Sequence, residues 1–226
     1  MTILLAIDTA TENCSVALTN GQQYWHDQQE APREHSQRLL GLVDQCLAEA
    51  QLSLRDIDGV VVGAGPGSFT GVRIGIAIAQ GLAFSVGVPV LAVPTLTAMA
   101  YRAAQSYPNS DIIAAIDARM SEIYLARFQS DAAGQLIETL APCVCAPTAL
   151  ADVSADSVAV GSAWPVYAAQ LDPQRVTQQT EIRLPRALDM LQYAQLSWPR
   201  HSVEAIHLEP LYVRNEVTWK KLPGRG

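Results

Sequence analysis

Gly63-Ala64-Gly65-Pro66-Gly67-Ser68-Phe69-Thr70-Gly71-Val72-Arg73-Ile74-Gly75 lies at the centre of the segment from Gly59 to Pro94. Val60 to Val62, β-branched and bounded by glycines, reads as a short buried strand leading into it. Gly63 to Gly67 predicts a tight turn, since its glycines tolerate positive φ and Pro66 fixes its own. Ser68 or Thr70 can cap a helix running from Phe69 to Ser85. Val86-Gly87-Val88-Pro89 ends that helix, and Val90 to Val93 predicts a second strand. The turn carries neither Gly-x-x-x-x-Gly-Lys-Ser/Thr nor Gly-x-Gly-x-x-Gly, so it is not a standard phosphate loop.

The helix has an uncommon surface. Gly71, Gly75, Ala79 and Ala83 recur at every fourth position as a groove of small residues, and Ile74, Ile78 and Leu82 form a ridge beside it. Its interior glycines Gly71, Gly75 and Gly81 cost roughly 1 kcal/mol each relative to alanine. Close approach by another helix would offset that loss. A helix apolar nearly all round needs a second cover, from a deep core or from another chain.

Working outward, Ile3 to Ile7 is an apolar strand that ends in Asp8-Thr9-Ala10-Thr11. Cys14 to Thr19 alternates, Asn20-Gly21 signals a hairpin, and Gln22 to Gln29 returns as a third strand. A helix follows from about Pro32 or Ser36 to Ala50, with Leu39, Val43, Cys46, Leu47 and Ala50 on one face and Leu40 and Leu42 off it. A helix from Thr95 to Ser106 completes the first half. After Tyr107-Pro108-Asn109 the pattern restarts, with Ile112 to Ile116 and Asp117-Ala118-Arg119, Glu122 to Phe128, a turn at Gly134, and Leu136 to Thr139. Pro147 to Ala151 reads as helix, Ser157 to Val160 as strand, and helices follow after Pro165 and from Pro185 to Leu196. Each half opens with an apolar strand ending in aspartate, the mark of a duplicated unit.

Two lobes of βββαβα order predict an α/β protein of the actin-like ATPase (ASKHA, ribonuclease H-like) architecture. The expected parts are 1–107 as the N-terminal lobe with the helices open to a partner, 108–198 as a smaller C-terminal lobe, and 199–226 as a C-terminal segment and tail, either packing back or flexible. In such a fold the turns after each first strand hold nucleotide phosphates, with the aspartates near a metal ion. Asp8 and Thr9 suit that role. The second turn, Asp117-Ala118-Arg119-Met120, lacks glycine for close backbone approach, although Arg119 can meet a phosphate as a charged donor. The expected nucleotide site, Asp8, Thr9 and Arg119, is therefore a degraded one.

The 226 residues, 49% apolar and 16% charged, describe a globular chain. Glycines, Gln80, Ser85 and Pro89 interrupt the run from Ile74 to Val93, so no membrane span is expected. Met1-Thr2-Ile3 carries no positive leader, which points to a cytoplasmic protein. Cys14, Cys46, Cys143 and Cys145 lack zinc-ligand or Cys-x-x-Cys spacing and read as free thiols. A formal charge of −7 disfavours unaided binding to nucleic acid. The exception is the segment from Arg214 onward, which carries +3 and leaves −10 for the rest.

The motifs together resemble the TsaB (YeaZ) family. Its carriers are Leu5-Ala-Ile-Asp-Thr9, Glu34-His35-Ser36, Gly65 to Gly75, Ile116-Asp-Ala-Arg119 with Glu122 and Tyr124, and Glu209-Pro-Leu-Tyr-Val-Arg214. The resemblance covers nearly the whole chain, and the central eleven residues are its most specific part.

That resemblance implies a non-catalytic role in making threonylcarbamoyladenosine in bacterial tRNA. The larger paralogue TsaD transfers the threonylcarbamoyl group from its adenylate to the adenosine beside the anticodon, using a metal held by paired histidines. TsaB binds and regulates TsaD, and the ATPase TsaE joins them. The implied partners are thus TsaD, TsaE and a second copy of the chain, with tRNA met only indirectly. No intrinsic cofactor is implied, although ATP or ADP could sit at the interface with the partners. No catalytic or metal residue is assigned, because His35 is followed four residues later by Leu39 and no His-x-x-x-His pair exists. In the family the first two helices carry both the homodimer and the TsaD contact. Carried over, the interface comprises Ser36, Leu39, Leu40, Val43, Gly71, Val72, Gly75, Ile76, Ala79 and Ala83. The alternatives are a free-standing ATPase or kinase of this fold, and a protease acting on its paralogue.

Overall fold

Strand β1 (Leu4–Asp8) is buried along its whole length, because it is the middle strand of a sheet covered on both faces. Leu5 and Ile7 point to one apolar core and Leu4 and Ala6 to another. The computed structural model describes residues 2–150, 153–154, 156–171, 176, 178–179 and 181–214. The basic segment that follows Arg214 lies outside the described residues.

β2 (Asn13–Thr19) and β3 (Tyr24–Glu30) continue from β1 as an antiparallel meander. The Thr19 and Asn20 side chains accept bonds from the turn amides, and Gly21 takes φ 86°. Helix α1 (His35–Glu49) crosses to β4 (Gly59–Gly63), and α2 (Phe69–Val86) leads to β5 (Val90–Val93). The sheet order is β3-β2-β1-β4-β5, with β4 and β5 parallel to β1. Ser68 caps α2 by accepting from the Gly71 amide, and Gly87 closes it in the left-handed conformation, φ 74°.

The second sheet repeats the first. β6 (Asp111–Asp117), β7 (Ile123–Ser130) and β8 (Leu136–Cys145) form the meander, and β9 (Val158–Val160) and β10 (Gln178–Gln179) add parallel strands, giving β10-β9-β6-β7-β8. Strand for strand this is the order of the first sheet, and the fold is the duplicated α/β architecture of the actin-like ATPases. Four local expectations differ. β8 runs on to Cys145 through Pro142, which an edge strand tolerates, and a register shift opposite Leu125 to Phe128 absorbs the irregularity. The expected helix at Pro147 is only a 3₁₀ turn, Pro147–Ala149. The helix expected after Pro165 is instead two short ones, α4 (Ala163–Val166) and α5 (Ala168–Leu171), with Pro165 inside the first turn, where no amide donor is required. β10 adds a strand where the sequence pattern indicates none.

Helix α3 (Thr95–Ser106) and helix α6 (Ala187–Gln195) exchange places. α3 follows the first sheet in sequence but buries Leu96, Met99, Ala100 and Ala103 against β6, β7 and β9. The sequence reading assigns Pro185–Leu196 to the second lobe, yet α6 lays Ala187, Met190, Leu191 and Ala194 on β1, β2 and β4. The two helices meet edge to face at Tyr101 and Tyr193, ring centroids 5.6 Å apart. The layers run α1 and α2, first sheet, α6 and α3, second sheet, α4 and α5.

Candidate functional site

The small residues of α2 face inward. Gly71 sits so close to the turn after β1 that a Cβ would run into the Thr9 carbonyl oxygen, and a Cβ on Gly75 would lie 2.7 Å from Thr9 Oγ1. The Thr9 hydroxyl donates to the Gly71 carbonyl at 2.7 Å, and the Ser68 amide donates to the Ala10 carbonyl at 2.7 Å. The groove therefore accommodates the chain's own backbone.

This corrects the interface expected from the sequence. Leu39, Val43, Gly71, Val72, Gly75, Ile76, Ala79 and Ala83 are buried in the chain's own first core, and of the ten only Ser36 and Leu40 are exposed. Small side chains on a helix permit close approach without naming what approaches. The outward face of α2 holds other residues. Phe69, Arg73, Ala77 and Gly81 repeat every fourth position, and Phe84 follows one turn on. Phe69 is 65% and Phe84 77% exposed, with Leu40 of α1 at 48%. Ile78 and Leu82 are half-buried at the base of this stripe. By length and composition α2 could cross a bilayer, but its inner face is packed on β4 and the β1 turn.

The expected nucleotide turns occupy two different environments. Asp8 is fully buried and turns toward α6, where Gly63 and Met190 close over it. Its Oδ1 accepts from the Ala10 amide at 3.2 Å, while Oδ2 has no partner. Burial pushes its carboxyl up to about 7, against the smaller opposing pull of that amide and of His35. Thr9 is equally closed, its hydroxyl committed to Gly71. The Thr9 hydroxyl is taken by the Gly71 carbonyl and the Ala10 amide by Asp8 Oδ1, so these two groups are not free for a phosphate.

Arg119 projects into solvent from the second turn. It bridges Asp117 at 3.1 Å and Glu12 of the first turn at 2.9 Å, so the two turns do meet. Asp117 accepts from the Tyr167 hydroxyl at 2.7 Å, and desolvation together with that carboxylate pushes the Tyr167 hydroxyl up to about 12. The turn closes tightly without glycine. Arg119, Met120 and Ser121 all take φ between 55° and 63°, at a cost of about 1–2 kcal/mol each. Bonds from Ala118 to Glu122 (2.9 Å) and Glu122 to Arg119 (3.0 Å), with Arg214 on the Glu122 carboxylate, offset it.

His35 is neither a surface group nor a cap. Its ring nitrogens lie 2.7 Å from the Ala31 carbonyl and 2.6 Å from the Thr11 carbonyl, which ties α1 to the start of β2. Among the described residues no three His, Cys, Asp or Glu side chains gather to hold a metal. Burial raises the Cys14 and Cys46 thiols to about 11, which suits apolar filling more than nucleophilic attack.

Of the two alternatives for the segment after α6, its described part, up to Arg214, packs back. Val203 bridges to Val90, Gln80 donates to the Leu208 carbonyl, and Leu211 donates to the Ala64 carbonyl at 2.8 Å. Arg73 then lies beside Tyr212, and Arg214 reaches the β6–β7 turn. The sequence signal was the motif Glu209 to Arg214 itself.

Comparison with known proteins is consistent along the chain. Residues 23–196 match a family model described as "TsaD: tRNA N6-adenosine threonylcarbamoyltransferase". A Haemophilus influenzae protein named "tRNA threonylcarbamoyladenosine biosynthesis protein TsaB" is 43% identical over 98% of both chains. An Escherichia coli protein of the same name is 42% identical over 98% of this chain and 99% of its own. A solved structure described as "YeaZ from Pseudomonas aeruginosa" superposes with a TM-score of 0.86 at 40% identity, covering 94% of this chain and 100% of the other. A second, described as "an uncharacterized protein with similarity to peptidase YEAZ" from the same organism, gives 0.87 at 40% identity, over 95% and 100%.

Proposed function

This chain belongs to the family of the tRNA threonylcarbamoyladenosine biosynthesis protein TsaB, and from that premise we propose that it serves the modification as a docking subunit for the transferase. A role in tRNA threonylcarbamoyladenosine biosynthesis follows from membership. The finer reading is that the chain performs no transfer itself and binds and regulates a TsaD paralogue, with TsaE joining and a second copy competing for the same face. One observation carries it. α2 leaves Phe84 77% and Phe69 65% exposed and α1 leaves Leu40 48% exposed, while the Thr9 hydroxyl of the expected nucleotide turn is committed to that same α2. Exposed aromatic anchors of this kind are hot-spot material. A face of two helices suits a standard interface of roughly 1,600 Å² in total.

On this reading any ATP or ADP binds at the contact between partners and not at Asp8. The net charge of −7 leaves tRNA to be met through the transferase, and the protein works in the cytoplasm. The test mixes the purified chain with the TsaD paralogue and TsaE of the same organism and measures both complex formation and threonylcarbamoyl transfer to tRNA. Phe84→Asp is expected to abolish the complex and the transfer together while leaving the melting curve unchanged. Transfer by the lone chain, or tight Mg-ATP binding with turnover by it, would overturn the proposal.

A further inference from the structure

The exposed stripe of α2 does not stop at the helix. The Arg73 guanidinium carbon lies 3.3 Å from the centroid of the Phe69 ring and 5.0 Å from that of Tyr212. Tyr212 is 55% exposed. Two residues on, Arg214 Nη1 donates to Met120 Sδ at 3.5 Å, and its Nη2 meets the Ala118 carbonyl at 3.3 Å and the Glu122 carboxylate. Met120, held out by three consecutive left-handed residues, is 62% exposed. Phe69, Tyr212 and Met120 thus form one patch supplied by α2, the closing segment and the β6–β7 turn, that is, by both sheets' territories.

The chemistry of the patch narrows its occupant. Arg119 is answered by Glu12 and Asp117, and Arg214 by Glu122. Arg73 donates to the Phe69 carbonyl at 3.0 Å. With these charges matched, the patch shows among the described residues no surplus of cations of the kind a phosphate backbone requires. What remains is two rings, a thioether and the Arg73 guanidinium over the Phe69 ring, the composition of the centre of a protein interface. Arg73 already holds Phe69 in place, which lowers the ordering cost of docking.

We propose that the transferase partner covering the outer face of α2 continues across the lobe boundary onto Phe69, Tyr212 and Met120. The inference rests on the reading of α2 as the docking helix, and Phe69 and Arg73, shared by stripe and patch, join the two surfaces. The occupant is a protein chain of the TsaD family presenting an apolar surface that runs past the end of α2.

Titration calorimetry with the purified TsaD paralogue of the same organism compares the wild-type chain, Phe84→Asp, and the double variant Tyr212→Ala/Met120→Ala. Circular dichroism confirms that each variant folds. The double variant is expected to bind at least tenfold more weakly, and hydrogen exchange in the wild-type complex is expected to slow at Met120 to Glu122. Wild-type affinity of the double variant, with Phe84→Asp still disabled, would sink this inference and leave the docking role standing. Wild-type affinity of both variants would sink the two together. Protection of Met120 to Glu122 by self-association, with none from the paralogue, would assign the patch to a second copy and also overturn the inference.

Discussion

The Thr9 hydroxyl donates to the Gly71 carbonyl at 2.7 Å, joining the end of the first strand to the first turn of α2 across 62 positions of chain. That bond converts a turn placed for nucleotide into part of the core, and it sets opposite outcomes for glycines on one helix. Gly71→Ala drives a methyl into the Thr9 carbonyl and is expected to destabilise by about 2–3 kcal/mol, even after the helix-propensity gain. Gly81→Ala meets open space and is expected to stabilise by about 1 kcal/mol. Urea unfolding of both variants checks the sign.

Asp8 imposes a pH dependence. Its carboxyl is raised from 3.8 to about 7 in the native state, so between those values the native protein binds more protons than the unfolded chain. Its contribution is absent below about pH 4 and becomes a penalty as pH rises, at roughly 1.4 kcal/mol per unit, accumulating to about 4 kcal/mol at most. Asp8→Asn removes the titration. The stability of the variant relative to wild type should climb between pH 4 and pH 8, whatever the offset at pH 4, and a flat difference across unfolding curves would refute the assignment.

Two ion pairs should behave differently. Arg186 meets Asp189, which is 2% exposed, at 2.6 Å between α6 and its cap, so Arg186→Ala strands a buried carboxylate and should cost about 3–5 kcal/mol. Arg119→Ala breaks bridges whose arginine is 75% exposed and should cost under about 1 kcal/mol. Thermal denaturation of the two variants separates them.

His35→Ala should cost about 1–3 kcal/mol, because the buried ring set between the Ala31 and Thr11 carbonyls is lost, while the Ala31 carbonyl keeps the Glu34 amide. Equilibrium denaturation measures the loss, and the far-ultraviolet spectrum should show α1 still formed.

Ser121→Gly relieves one left-handed residue and should stabilise by about 1 kcal/mol. Chemical denaturation is again the readout, and a loss would mean that the Ser121 side chain contributes more than its backbone costs.

Much of this architecture is legible in the sequence, since β-branched runs such as Val60 to Val62 and the spacing of Leu39, Val43, Cys46 and Leu47 report local periods directly. The duplicated strand order follows from Asp8 and Asp117 closing matching runs. Orientation is less legible. Gly71 and Gly75 say that something comes close, and only the path of the Thr9 turn says that it is the chain itself. Likewise the residues of α6 specify an apolar face without specifying which sheet receives it. β10 rests on Gln178–Gln179, too short and polar to signal a strand, and nothing in Arg119-Met120-Ser121 advertises three positive φ angles. At the candidate site, Phe69 and Phe84 stand near opposite ends of α2 and share no short repeat, so the spacing marks the small residues and not the two rings.

The exchange of α3 and α6 makes the duplication irreversible. A chain severed near Tyr107 would yield an amino-terminal piece with a sheet bare on one side and an orphan helix, and a carboxy-terminal piece with the complementary fault. Each fragment lacks the cover that its own sheet requires, so the two halves are bound to reach the native state together.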